Sequence, residues 1–97
     1  MALAWAGQIN IATSGTEVQG TDTGKLAGYY AIKGHPNNTG AVFIGDNADV
    51  SETTGYPLDP GQDIVMWLSN LNQLWFDTET GGNGNDVCWL YLGQSPR

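Results

Sequence analysis

Two stretches decide how this chain folds: Asp63-Ile64-Val65-Met66-Trp67-Leu68-Ser69 and Asp86-Val87-Cys88-Trp89-Leu90-Tyr91-Leu92. In an extended strand, side chains point alternately to opposite faces. The first stretch therefore sets Ile64, Met66 and Leu68 on one face, with Val65, Trp67 and Ser69 on the other. The second sets Val87, Trp89 and Tyr91 against Cys88, Leu90 and Leu92. In a two-layer β-sandwich only the inward face needs to be apolar. Here both faces are apolar, so the second face calls for another partner, either an extra sheet edge or a neighbouring subunit.

Working outward, the same two-residue period predicts strands at Gln8–Thr13, Thr16–Gln19, Leu26–Lys33, Ala41–Ile44 and Leu74–Asp77. In the third of these, Tyr30 and Ile32 share one face and Tyr29, Ala31 and Lys33 the other. Fourteen glycines and four prolines punctuate the chain, leaving apolar stretches too short for helices. The connections are 13–15, 34–40, 46–61 and 79–85. Asn70-Leu71-Asn72-Gln73-Leu74 reads as a single crossing turn, too short to nucleate a helix. Pro57 and Pro60 keep their stretch extended while removing sheet donors, which suits an edge or a corner. The sum is an all-β chain of about seven to eight short antiparallel strands, a small β-sandwich of jelly-roll type without internal repeat. Its expected organisation is an N-terminal arm (1–7), one domain (8–93) and a short tail (94–97).

Composition narrows the function. Ninety-seven residues make one core, and a chain of that length buries only about 60–70% of its unfolded surface. Charged residues are 13% of the chain, about half the usual share of roughly 25%. Ten carboxylates face only Lys25, Lys33 and Arg97, a formal net charge of −7. That sign opposes phosphate-backbone binding, which needs clustered Lys and Arg; no nucleic-acid partner is expected. One cysteine, Cys88, forbids an internal disulfide framework and any multi-cysteine metal site. The start lacks a basic segment and a long apolar run, and no stretch approaches the ~20 apolar residues of a membrane helix. The expectation is synthesis in a cytoplasm, no membrane partner, and release, if any, by lysis.

Chemistry-bearing patterns are sparse. His35, the single histidine, precedes Pro36 in a polar loop, and none of Ser14, Ser51, Ser69 or Ser95 sits in a nucleophile-elbow context. Asp46-Asn47-Ala48-Asp49 and Asp77-Thr78-Glu79 offer oxygens to calcium but lack the EF-hand spacing; Asp and Asn beside Gly are also what tight turns require. Gly81-Gly82-Asn83-Gly84-Asn85-Asp86 lacks the Lys-Ser/Thr and the helix of a phosphate loop. Asn37-Asn38-Thr39 is a glycosylation sequon only in a secreted protein. The reading is therefore no enzyme, no cofactor and no metal.

The aromatics remain: Trp5, Trp67, Trp75 and Trp89 with Tyr29, Tyr30, Tyr56 and Tyr91. Rings of this kind fill a thin core, and Trp and Tyr are enriched at protein interfaces. They also form platforms for sugars. Trp5 lies in an Ala-rich arm, which orders only by docking on something. The candidate interface residues are Leu3, Trp5, Tyr29, Trp67 and Trp75.

One set of segments remains: Thr39-Gly40-Ala41-Val42-Phe43-Ile44-Gly45-Asp46 and Gly55-Tyr56-Pro57-Leu58-Asp59-Pro60-Gly61-Gln62. It continues through Asn70-Leu71, Leu74-Trp75-Phe76-Asp77 and Gly82-Asn83-Gly84-Asn85-Asp86-Val87. In this run, residues 39–92 resemble small bacteriophage virion proteins. These motifs are turn chemistry and cover a little over half of the chain. The resemblance implies a capsid cement or decoration protein, or a head-fibre or tail component. It would be a homo-oligomer on the virion surface whose partner is the major capsid protein. The rival expectation is a carbohydrate-binding or receptor-adhesion module using exposed Trp and Tyr.

Overall fold

The computed structural model describes residues 6–24 and 26–94. Eight strands are connected in chain order: β1 (Ala6–Ile11), β2 (Val18–Gln19), β3 (Gly28–Gly34), β4 (Val42–Gly45), β5 (Tyr56–Leu58), β6 (Asp63–Leu68), β7 (Trp75–Thr78) and β8 (Asn85–Gly93). They form two antiparallel sheets of four strands, ordered β1-β8-β3-β6 and β2-β7-β4-β5, packed as a β-sandwich. Among the described residues there is no α-helix, only a 3₁₀ turn at Leu71–Gln73.

Most strand ends shift by one or two residues from those read in the sequence, and two differences matter for the architecture. β1 begins at Ala6, inside the segment assigned to an arm, because Ala6 pairs with Leu90 and Gly7 with Trp89. Gly7 faces the core, where a Cβ would stand 2.9 Å from the Trp89 indole nitrogen, so only glycine lets the ring pass beneath the strand. The connection 46–61 contains β5, whose register sets Pro57 opposite Phe43. β5 is an outermost strand, so the missing proline N–H interrupts no ladder.

The core lies between the sheets. Tyr30, Ile32, Ile11 and Val87 from the first sheet meet Val42, Leu58 and Phe76 from the second, all with essentially no exposure. Each such side chain is worth about 1.5–3 kcal/mol relative to exposure. Tyr30 is central: its ring lies 5.1 Å from that of Tyr91 and 6.1 Å from that of Trp89, both tilted. Its hydroxyl donates to the Leu26 carbonyl (2.5 Å) and meets Thr23 Oγ1 at 2.8 Å. Thr23 also accepts from the Leu71 N–H (3.1 Å), which ties the 20–27 loop to the 3₁₀ turn. That turn is capped by Asn70, whose Oδ1 accepts from the Asn72 N–H (2.9 Å), while Gln73 Oε1 accepts from the Asn70 N–H (3.3 Å).

The outer face of the second sheet is covered by the chain's own loops. Phe43, Ala41 and Val50 form a small second cluster, with Trp75 against it, because the loop after β4 folds back over Phe43. Gly45 and Gly55 permit the approach: a Cβ on either would meet Val50 or Phe43 at under 3 Å. Asp77, on the same face and 3% exposed, accepts from the N–H groups of Gly15 (3.0 Å) and Thr78 (2.8 Å).

Candidate interaction surface

Among the described residues, no loop covers the outer face of the first sheet in this way. Five large apolar residues are exposed among the described residues, and four of them lie here: Trp67 (54%), Val65 (50%), Leu90 (46%) and Leu92 (39%). Strand pairing brings them into rows. Trp67 stands opposite Tyr29; Val65, Ala31, Leu90 and Ala6 follow one another across all four strands; Asp63, Lys33, Cys88 and Gln8 form the next row. Beyond these, Asn10 Nδ2 donates to Asp86 Oδ1 at 2.9 Å. The surface is thus an apolar field bounded along one side by Asp63, Lys33, Gln8, Asn10 and Asp86.

Its backbone explains how closely the side chains meet. The Gly34 N–H donates to the Gln62 carbonyl (3.0 Å) and the His35 N–H to that of Asp86 (3.1 Å). With the register of the sheet, these bonds make even residues of β3 bond towards β6 and odd residues towards β8. Tyr29–Trp67 and Ala31–Val65 are therefore non-hydrogen-bonded pairs, where side chains approach most closely.

Of the residues singled out in the sequence, Tyr29 and Trp67 are brought together on this face. Trp75 lies on the opposite sheet, half-buried against the Phe43 cluster, and joins no common surface with them. Leu3 and Trp5 lie outside the described residues. Val65, Leu90 and Leu92 complete the field without having been named as interface candidates. Their signal was present in the doubly apolar alternation of the two quoted stretches.

Several polar side chains elsewhere are engaged in the turns. His35 Nδ1 accepts from the Asn37 N–H (3.0 Å), and Glu79 Oε1 from the Ala41 N–H (2.9 Å). Asn47 Oδ1 accepts from the Asp49 N–H (2.8 Å), the side-chain turn its sequence suggests. Gly81 and Gly84 adopt φ of +88°, as a turn requires. Among the described residues, no group of three His, Cys, Asp or Glu side chains converges on a point. Cys88, half-buried in the apolar field, has its thiol pKa raised, chiefly by burial and then by Asp86. The field offers contact area and shape in place of reactive groups.

Comparison with models of protein families, with curated proteins and with solved structures finds no match for this chain.

Proposed function

We propose that this chain is a structural, non-enzymatic protein that acts by docking its bare sheet face on another protein. Within that class, we infer a capsid cement protein that sits on the outside of a bacteriophage head and stabilises the shell. The observation that carries the docking reading is the asymmetry of the sandwich. One outer face is covered by the chain's own loops, whereas the other leaves Trp67, Val65, Leu90 and Leu92 in water. A contiguous apolar field with a polar border has the make-up of a protein interface.

Two further points support the virion reading. One is the resemblance of residues 39–92 to small virion proteins. The other is strand order: the first strand lies beside the eighth, the third beside the sixth, the second beside the seventh and the fourth beside the fifth. That order suits a jelly roll, an architecture used by viral capsid domains. A protein that binds only the closed shell stabilises it by mass action and needs no chemistry to do so. The −7 charge suits a surface kept away from nucleic acid.

Jelly rolls also serve as lectins, and the Tyr29–Trp67 pair could stack a sugar ring. A sugar site also needs hydrogen-bonding groups around the rings, whereas the next row on this face is Val65, Ala31, Leu90 and Ala6. The test is co-sedimentation of the purified protein with expanded phage heads, with shell resistance to heat as a second readout. Saturable binding and a stabilised shell are expected. Absence of binding, together with a saturable change in Trp fluorescence on titrating glycans, overturns the proposal in favour of the lectin.

A further inference from the structure

The geometry points to β6 as the edge by which two copies of this chain pair, antiparallel, into one continuous eight-stranded sheet. Each sheet has two outermost strands. β2 is two residues long and β5 is three with a proline, so neither offers a ladder. β1 shows Gln8 and Asn10 on its solvent face. β6 is six residues, lacks proline, and shows Val65 and Trp67. Because its even residues bond inward to β3, the N–H and C=O groups of Asp63, Val65 and Trp67 point along the open edge. The same residues thus hold the free backbone groups and the exposed side chains.

This arrangement is self-complementary. A two-fold axis normal to the sheet, passing beside Val65, sets Val65 against Val65 of the second copy and Asp63 against Trp67 of the second copy. All three pairings join outward-pointing donors to outward-pointing acceptors. No like charges face each other across the seam, since Asp63 is the only charged residue of β6. The axis also keeps both apolar faces on the same side, so the pair presents one field of double width.

The area says when pairing occurs. A six-residue strand is about 20 Å long and a sheet about 10 Å thick, which gives a contact of about 200 Å² per copy. The total of about 400 Å² falls well below the ~1,200–2,000 Å² of a stable complex. Pairing is therefore weak between free molecules carrying −7 each and strengthens with added salt. It becomes firm where a common support holds neighbours side by side. Its purpose rests on the docking function proposed above, but the contact itself is measured without any shell.

The experiment is sedimentation of the isolated protein over a concentration series, combined with disulfide trapping. In a Cys88→Ala background, Val65→Cys sets two thiols about 5.5 Å apart between Cα atoms, within the 4.4–6.8 Å that a disulfide spans. A covalent dimer is expected, well in excess of that from Gln8→Cys on the opposite edge strand, which reports random collision. In the wild type, Cys88 lies two strands inboard, so the two thiols stand about 24 Å apart and do not cross-link. Val65→Pro removes an N–H that β3 does not use, and Val65→Lys keeps the N–H but opposes two ammonium groups at the axis. Both should abolish association and retain the native circular dichroism. Equal trapping at Gln8→Cys, trapping through native Cys88, or undiminished association in the folded Pro and Lys variants each overturns the proposal; the second favours stacking face to face. Val65→Cys that gives no dimer in excess of Gln8→Cys, beside wild type that sediments with heads, sinks this edge and leaves the docking function standing. Wild type that pairs but ignores heads sinks the docking function and leaves the edge standing.

Discussion

Replacing Trp67 by threonine tests whether the bare sheet face exists to bind rather than to fold. Trp67 is 54% exposed. For a side chain of roughly 250 Å² this leaves about 130 Å² in water. Covering that area at ~25 cal/mol per Å² contributes about 3 kcal/mol to docking. Its loss corresponds to an affinity drop of roughly 150-fold, within the ~2–4 kcal/mol typical of an interface anchor. Folding should feel the change far less. The position is on an edge strand, threonine keeps a strand-forming side chain, and the lost cross-strand contact with Tyr29 is worth about 0.2–1 kcal/mol. Trp89, 5% exposed and packed on Tyr30, provides the internal contrast. Its truncation should cost about 3–5 kcal/mol of stability. Urea denaturation measures the stability, and sedimentation of labelled protein on expanded heads measures the docking. Docking undiminished in Trp67→Thr, or a stability loss as large as that at Trp89, would refute the division of labour between the two tryptophans.

Three further outcomes concern the fold itself. Tyr30→Phe should cost about 1–3 kcal/mol in urea, since the buried ring loses its bonds to Leu26 and Thr23. Burial raises the Tyr30 pKa, so its contribution is intact below about pH 10 and lost as pH rises further; the Phe variant should flatten that limb. Asp22 has its pKa lowered, first by the Asn70 side chain and then by the Gly24 N–H, so it supports the fold above the ordinary carboxylate range and ceases to as pH falls. Thermal melts at neutral and acid pH should show a shallower acid loss for Asp22→Asn. Gly82→Ala should destabilise by about 1–3 kcal/mol, because the added Cβ would sit 2.4 Å from Thr78 Oγ1 and 2.7 Å from Asn85 Nδ2; an unchanged urea midpoint would show that the loop gives way freely.

The sequence made the strands legible because glycine and proline bracket them and the two-residue period sorts their faces. Tyr30 and Ile32 are buried while Lys33 is exposed, and a single turn forms within Asn70–Leu74, as its sequence suggests. β5 was not legible: three residues holding a proline carry no alternation, and only pairing with β4 makes them a strand. Nor was the start of β1, since Ala6 and Gly7 become a strand through Leu90 and Trp89, over eighty residues away. The candidate surface was half legible. Alternation told that β6 and β8 have two apolar faces, yet it cannot say which face meets the other sheet. Trp67 is an interface candidate from the sequence and Trp89 is not, but only the assembled layers give the physical reason: Trp89 faces the other sheet and Trp67 faces away from it. Trp75 shows the same limit differently, because its cover comes from the loop carrying Val50, a contact between segments far apart in the chain.

The pairing of β1 with β8 has a mechanical meaning. Ala6 lies opposite Leu90 and Ile11 opposite Asn85, so the outset of the first strand and the close of the last emerge at the same end of the sandwich. Tension applied between those two points would peel the strands apart one rung after another, like a zipper. It would not shear all the rungs at once. Such a sheet opens readily under traction between the start of β1 and the end of β8. A load spread across the broad sheet face instead presses on all four strands together. If the molecule clamps a pressurised container, the durable geometry is to lie flat against the wall and leave its ends slack.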